Sequence, residues 1–238
     1  MKNGTLYGVG VGPGDPDLIT LKAIKILKQV DVIFAAASTK NSYSLAMEIA
    51  SPHLKEGAPV VPLGFPMTRD KKKLADAWEK NGRKVVESLK KGGDAAFITL
   101  GDPLIYSTFG YIFNTIKETE LDIPIEIIPG ITSYQAGAAA AGQILVEAEE
   151  SFAVVSGALG AERLKDMVHH TDRVVLLKVY HKYQEIMDTL DQLGLAKGSV
   201  LISRCGLDDE VILRDLEEGF DTPPPYLSLL LIKKTDRI

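Results

Sequence analysis

The sequence has a single cysteine, Cys205, so it can form no internal disulfide and no cysteine cluster for a metal. Its four histidines, His53, His169, His170 and His181, are scattered without the spacing of a ligand set, and no metal site is expected. An excess of positive charge is also missing. The 27 lysines and arginines are outnumbered by 32 aspartates and glutamates, for a formal net charge of -5, and a nucleic-acid partner is not expected. No apolar run reaches the ~18–20 residues of a membrane span. Met1 to Thr5 leads directly into a strand-like segment with no signal peptide before it, so the expected location is the cytoplasm, away from membranes. No Ser-His-Asp set and no reactive-cysteine constellation stands out, so nothing marks a nucleophile supplied by the protein.

What is present is an alternation of apolar runs and helical patterns. With 45% hydrophobic residues in 238, there is material for two modest domains. Leu6–Val11, Asp31–Ala36, Pro59–Leu63, Asp94–Leu100 and Ile123–Ile128 read as buried strands. Leu18–Val30, Lys71–Lys91 and an alanine-rich stretch ending near Gly142 read as helices between or after them. Near-continuous apolar strands separated by helices imply a largely parallel sheet covered on both faces. The acidic stretch 146–150 reads as a linker. Beyond it, Phe152–Ser156, Val174–Val179 and Ser199–Ser203 are joined by helices, whereas Glu210–Leu216 and Tyr226–Ile232 have none between them, which implies antiparallel members. The expected fold class is therefore α/β, with a mostly parallel N-terminal domain over 1–146 and a mixed C-terminal domain over 147–238.

Three glycine turns follow three of the strands. The first, Gly8-Val9-Gly10-Val11-Gly12-Pro13-Gly14-Asp15-Pro16, fails the dinucleotide pattern G-x-G-x-x-G in every register, because the last position falls on Pro13, Asp15 or Asp17. A proline lacks the N–H and an aspartate would repel a pyrophosphate. Taken alone this is a tight turn, with Asp15 or Asp17 capping a helix. The second, Leu100-Gly101-Asp102-Pro103-Leu104-Ile105-Tyr106-Ser107, sets a carboxylate at a strand end, where open α/β sheets bind ligands. Asp102 suits an ammonium or sulfonium group; it or Ser107 is equally a helix cap. The third, Ile128-Pro129-Gly130-Ile131-Thr132-Ser133, offers two hydroxyls ahead of a small-residue helix, Ala136–Ala141, that reads as a ligand wall or as a tightly packed core helix.

Together, Gly-x-Gly-Pro-Gly-Asp-Pro, Gly-Asp-Pro-x-x-Tyr and Pro-Gly-Ile-Thr-Ser resemble the tetrapyrrole methylase family in order and spacing, from about Thr5 to Lys233. The resemblance implies two α/β domains with S-adenosylmethionine bound in the cleft between them, S-adenosylhomocysteine as product, and a homodimer. Carried over by matched motif, Pro13, Leu100, Gly101, Asp102, Ile105, Thr132 and Ser133 would contact the cofactor. In the second domain Lys178, Gly206, Tyr226 and Ser228 would do so by a looser match. The stretch from Thr99 to Phe109, with Phe65 to Asp70, is similar to the members that methylate carbon-20 of precorrin-2 or its cobalt-containing counterpart in cobalamin biosynthesis. Other tetrapyrrole substrates, such as uroporphyrinogen III or a different precorrin position, and a non-catalytic cofactor-binding regulator are the alternatives. Methyl transfer from a sulfonium to an electron-rich carbon asks the protein for alignment and exclusion of water. Asp102 is the candidate for charge assistance to catalysis. Tyr106 and the cations Arg69 and Lys71 are candidates for a substrate rimmed with carboxylate arms, although a lysine run opening a helix also reads as a solvated face.

Overall fold

The computed structural model of the protein describes residues 2–37, 45–66, 68, 70–214, 216 and 223–234. By its internal contacts the chain falls into two compact units, Met1–Thr132 and Ser133–Ile238.

The first unit contains β1 (Leu6–Gly10), α1 (Leu21–Leu27), β2 (Val32–Ala37), α2 (Leu45–Ala50), β3 (Val60–Gly64), α3 (Lys71–Leu89), β4 (Ala95–Thr99), α4 (Phe109–Thr119) and β5 (Ile125–Ile128). The strands pair in the order β3-β2-β4-β1-β5, and every pairing is parallel. Such a sheet must be covered on both sides, and the side chains divide accordingly. Val9, Ile33, Ala96 and Ile98 pack with Leu27 of α1 and Ile49 of α2 on one face. Leu6, Phe34 and Phe97 pack with Leu89 of α3 and Phe109, Ile112 and Ile116 of α4 on the other. The neighbouring strands β1 and β4 thus send their chains to opposite faces, the arrangement that opens a ligand crevice beyond the carboxyl ends of a parallel sheet.

The second unit contains α5 (Ser133–Ala141), β6 (Phe152–Ser156), α6 (Glu162–His170), β7 (Arg173–Leu177), α7 (Tyr183–Gln192), β8 (Val200–Ser203), β9 (Val211–Leu213) and β10 (Ser228–Lys233). The order is β6-β7-β10-β8-β9, with β6 and β7 parallel and β10 antiparallel to both neighbours. This is the mixed sheet expected from two late strands with no helix between them. The small-residue helix α5 is a packed helix: a Cβ on Gly137 would stand 3.1 Å from Cδ1 of Ile202.

Three local expectations change. The first helix is shorter than 18–30, because Asp15 caps a short 3-10 turn by accepting from the Asp17 amide at 2.8 Å. Thr20 then opens α1, its hydroxyl accepting from the Ala23 amide at 3.2 Å. The sequence reads Cys205 as a buried small residue in a strand; it is buried, but in the turn after β8. The acidic stretch is also tied down. The buried side chain of Arg173 donates to Glu150 at 2.8 Å, to the Ile144 carbonyl at 2.7 Å and to Glu147 at 3.4 Å. Among the described residues no helix is long and apolar enough to cross a membrane. Because Arg173 is only 6% exposed, removing it strands the groups it satisfies. Arg173→Ala is expected to cost about 3 kcal/mol in urea unfolding, and Glu147→Gln, at the exposed partner, under about 1 kcal/mol.

Candidate functional site

The carboxyl ends of β1, β4 and β5 lie side by side, and their three glycine turns converge. A Cβ added to Gly10 would meet the Gly101 carbonyl oxygen at 2.5 Å and the Gly130 nitrogen at 2.7 Å. One added to Gly130 would meet the same Gly101 oxygen at 2.2 Å. Gly10 and Gly130 are therefore required by backbone packed on backbone. Gly12 and Gly101 form an isolated antiparallel bridge, with the Gly101 amide donating to the Gly12 carbonyl at 2.7 Å. Gly101 itself has φ +69, and a Cβ there would find nothing nearer than 3.9 Å, so its outer side is open.

Asp102 joins two of the turns. One carboxylate oxygen accepts from the Leu104 amide at 2.8 Å, and the other accepts from the Gly130 amide at 3.1 Å. Each oxygen keeps a lone pair for a further donor. Beyond it the chain arches outward, leaving Leu104, Ile105 and Tyr106 exposed, and Tyr106 takes a left-handed backbone with φ 51. The arch closes where the Thr99 and Ser107 hydroxyls meet at 2.8 Å, and Ser107 also accepts from the Phe109 amide at 3.1 Å. Pro13 and Thr132 are buried beside these turns, and Leu100 is half-buried. Of the residues expected to contact a cofactor, Pro13, Leu100, Gly101, Asp102, Ile105 and Thr132 are thus gathered at one edge of the first sheet. An open glycine face, a carboxylate with acceptor capacity left and apolar Leu100 and Ile105 suit a ligand that has an amino-acid ammonium, a sulfonium and an apolar surface. Ser133 is half-buried at the start of α5.

The second unit assembles the remaining candidates at the end of its own sheet. Lys178 leaves β7 with φ 60, Arg204 leaves β8 with φ 51, and Leu227 enters β10 with φ 72. Three left-handed residues other than glycine at one sheet edge mark a locally costly backbone, of order 1–3 kcal/mol each. Gly206 lies in the same turn as Arg204, its amide donating to Glu210 at 2.8 Å. Ser228 is buried; its hydroxyl meets that of Ser203 and also donates to the Pro225 carbonyl at 2.7 Å. Tyr226 is 57% exposed and stands edge-on to Tyr180, which also contacts the His181 ring. Burial, and then the neighbouring Tyr226, push the Tyr180 hydroxyl above its usual range. Arg204, which its place at a strand end makes a further candidate cation for substrate arms, is held by Asp209 at 2.6 Å. That hydrogen bond is the chief reason the Asp209 carboxyl lies below the usual carboxylate range.

On the substrate side, Arg69 lies outside the described residues. Lys71 is exposed in the first turn of α3, which Asp70 caps by accepting from the Lys72 and Lys73 amides at 3.0 and 3.2 Å. Trp78, which the sequence reads as a core anchor or part of a dimer contact, is half-buried and stacks on Tyr111 with ring centroids 4.2 Å apart. His169 and His170 are exposed at the end of α6. Among the described residues no group of three or more His, Cys, Asp or Glu side chains could hold a metal ion. The sequence reading missed the Thr99–Ser107 pair, the Asp102–Gly130 bond and the Tyr180–Tyr226 contact. Their partners are 8, 28 and 46 residues apart, and only the pairing of β1 with β4 and β5 hints at the second.

The chain matches the family model described as Tetrapyrrole (Corrin/Porphyrin) Methylases over residues 5–220. It is 35% identical to the cobalt-precorrin-2 C(20)-methyltransferase of Salmonella typhimurium, covering 98% of this chain and 97% of that one. It is 37% identical to a probable cobalt-precorrin-2 C(20)-methyltransferase of Methanocaldococcus jannaschii, with 98% and 97% covered. Among solved structures it resembles that of a cobalt precorrin-4 methyltransferase, with a TM-score of 0.73 and 25% identity over 96% of this chain and 94% of that one. Gly130→Ala is expected to cost at least about 2 kcal/mol of stability, since its Cβ overlaps backbone that cannot move alone, while Gly110→Ala, on the open side of α4, should cost nothing measurable. Urea unfolding of both variants checks this.

Proposed function

The chain belongs to the tetrapyrrole (corrin/porphyrin) methylases, and from that footing we propose that it transfers a methyl group from S-adenosylmethionine to carbon-20 of cobalt-precorrin-2, a step in making cobalamin. The observation that carries this reading is the likeness, over 98% of the chain, to two proteins named for that reaction. The cobalt-bearing form of the substrate is favoured because both names specify it. Assembly as a homodimer belongs to the same proposal, and light scattering of the purified protein checks it.

The bound cofactor supplies an electrophilic methyl on a sulfonium, and the ring carbon supplies the electrons. What remains for the chain is to bind, orient and keep water out. Asp102 is assigned an electrostatic role, its remaining lone pairs receiving the cofactor's positive charge while the Leu104 and Gly130 amides hold the carboxylate still. Gly101 leaves room for close approach, and Leu100 and Ile105 provide apolar contact. Exposed Tyr106 offers a flat apolar face to a macrocycle. Lys71 offers a cation to its carboxylate arms.

The test is an anaerobic assay with methyl-labelled cofactor and three substrates: cobalt-precorrin-2, metal-free precorrin-2 and uroporphyrinogen III. Label at carbon-20 of the cobalt compound is expected, and transfer to uroporphyrinogen III alone overturns the reading. Asp102→Asn is expected to raise the KM for S-adenosylmethionine by about tenfold, the worth of a charge-assisted contact, with a smaller change in the KM for the tetrapyrrole.

A further inference from the structure

The segment between β4 and α4 holds a residue in a conformation it does not favour. Tyr106, with φ 51, has a Cβ in the left-handed region, at a cost the neighbouring structure must offset. Glycine or asparagine would occupy that backbone more cheaply. The residue is nonetheless 50% exposed, and its neighbours Leu104 and Ile105 are exposed too, so burial of the side chain does not explain the choice.

Two hydroxyls close the base of the arch that carries it. Thr99 is the last residue of β4, is 9% exposed, and is locked to β1 because its carbonyl accepts from the Val11 amide at 3.0 Å. Ser107 lies immediately after Tyr106 and accepts from the amide of Phe109, whose side chain is fully buried. The contact of 2.8 Å between their oxygens therefore joins a fixed strand end to a fixed helix start. Asp102 restrains the opposite limb through Leu104 and Gly130. With both ends pinned, the intervening residues must bow outward.

We infer that Thr99 and Ser107 form a hydroxyl clamp that holds Tyr106 in its left-handed conformation and so orients its ring for the tetrapyrrole. They are positioning residues and need not touch substrate or cofactor. The inference rests on the methyltransferase reading for its functional half, whereas its conformational half stands on the geometry alone.

Two measurements test it. Tyr106→Gly removes the strain, so it should be more favourable to the melting temperature in the wild-type background than in Thr99→Val, by about 2–4 °C for a strain near 1 kcal/mol. An equal change in both backgrounds shows that the clamp holds no strain and overturns the inference, whether or not the protein methylates anything. In steady-state assays, Ser107→Ala and Thr99→Val should each raise the KM for the tetrapyrrole by about three- to tenfold, the net worth of one hydrogen bond. Calorimetric affinity for S-adenosylhomocysteine should stay within about twofold, and Ser107→Thr should restore the KM. The double variant should be no worse than either single one. Wild-type KM values in folded, active variants, or additive effects, overturn the clamp. No transfer by the wild-type protein would instead count against the methyltransferase reading. Should Ser107→Ala fail to fold, the isosteric Thr99→Val carries the same measurement.

Discussion

Everything at the candidate site depends on how closely three backbones approach at the end of the first sheet. The Gly101 carbonyl sits where side chains on both Gly10 and Gly130 would have to go. That contact fixes the spacing of three turns that are far apart in sequence, and the Asp102 bond to the Gly130 amide completes it. A ligand here meets a surface set by backbone, which costs little to hold in place because its rotamers cannot wander. It also means that Gly10 and Gly130 are accounted for by packing, whereas Gly101 keeps an open side for a ligand.

The two sheets use different devices to shape their edges. The first relies on glycine and on a short span of arched chain. The second bends three residues that carry side chains, Lys178, Arg204 and Leu227, into the left-handed region at one edge. Lateral bonds steady these bends: the Arg204 amide donates to the Leu227 carbonyl at 3.1 Å, and its guanidinium binds Asp209. Strain of this kind persists only when the surroundings over-determine it, and it gathers where a chain must present groups rather than bury them.

Much of this was legible in the residues themselves. The apolar run of β4, buried at every position, and the flanking helical patterns gave a parallel sheet, and the late pair of strands without a helix gave a mixed one. The three glycine turns marked the strand ends that converge in the structure, although the first alone read as a tight turn and the second equally as a helix cap. What escaped was set by tertiary contact. Thr20 displaced Asp15 and Asp17 as the cap of α1 because the chain first makes a 3-10 turn. The acidic stretch read as a linker until Arg173, more than twenty residues on, gathered its glutamates. Ser107 read as a cap, and it does accept from the Phe109 amide, but no local pattern reveals its second bond to Thr99.

The register of β1 bears on how the chain is made. Leu6 lies against Ala95 on one side and Ile125 on the other, so the earliest strand is the central partner of the two latest strands of its sheet. While the ribosome is still short of those residues, β1 has no edge to join, and its apolar side chains must wait in an unfinished globule. High contact order of this sort slows folding and lengthens exposure to aggregation. The convergence of the three turns is accordingly incomplete in any nascent chain that stops short of the third.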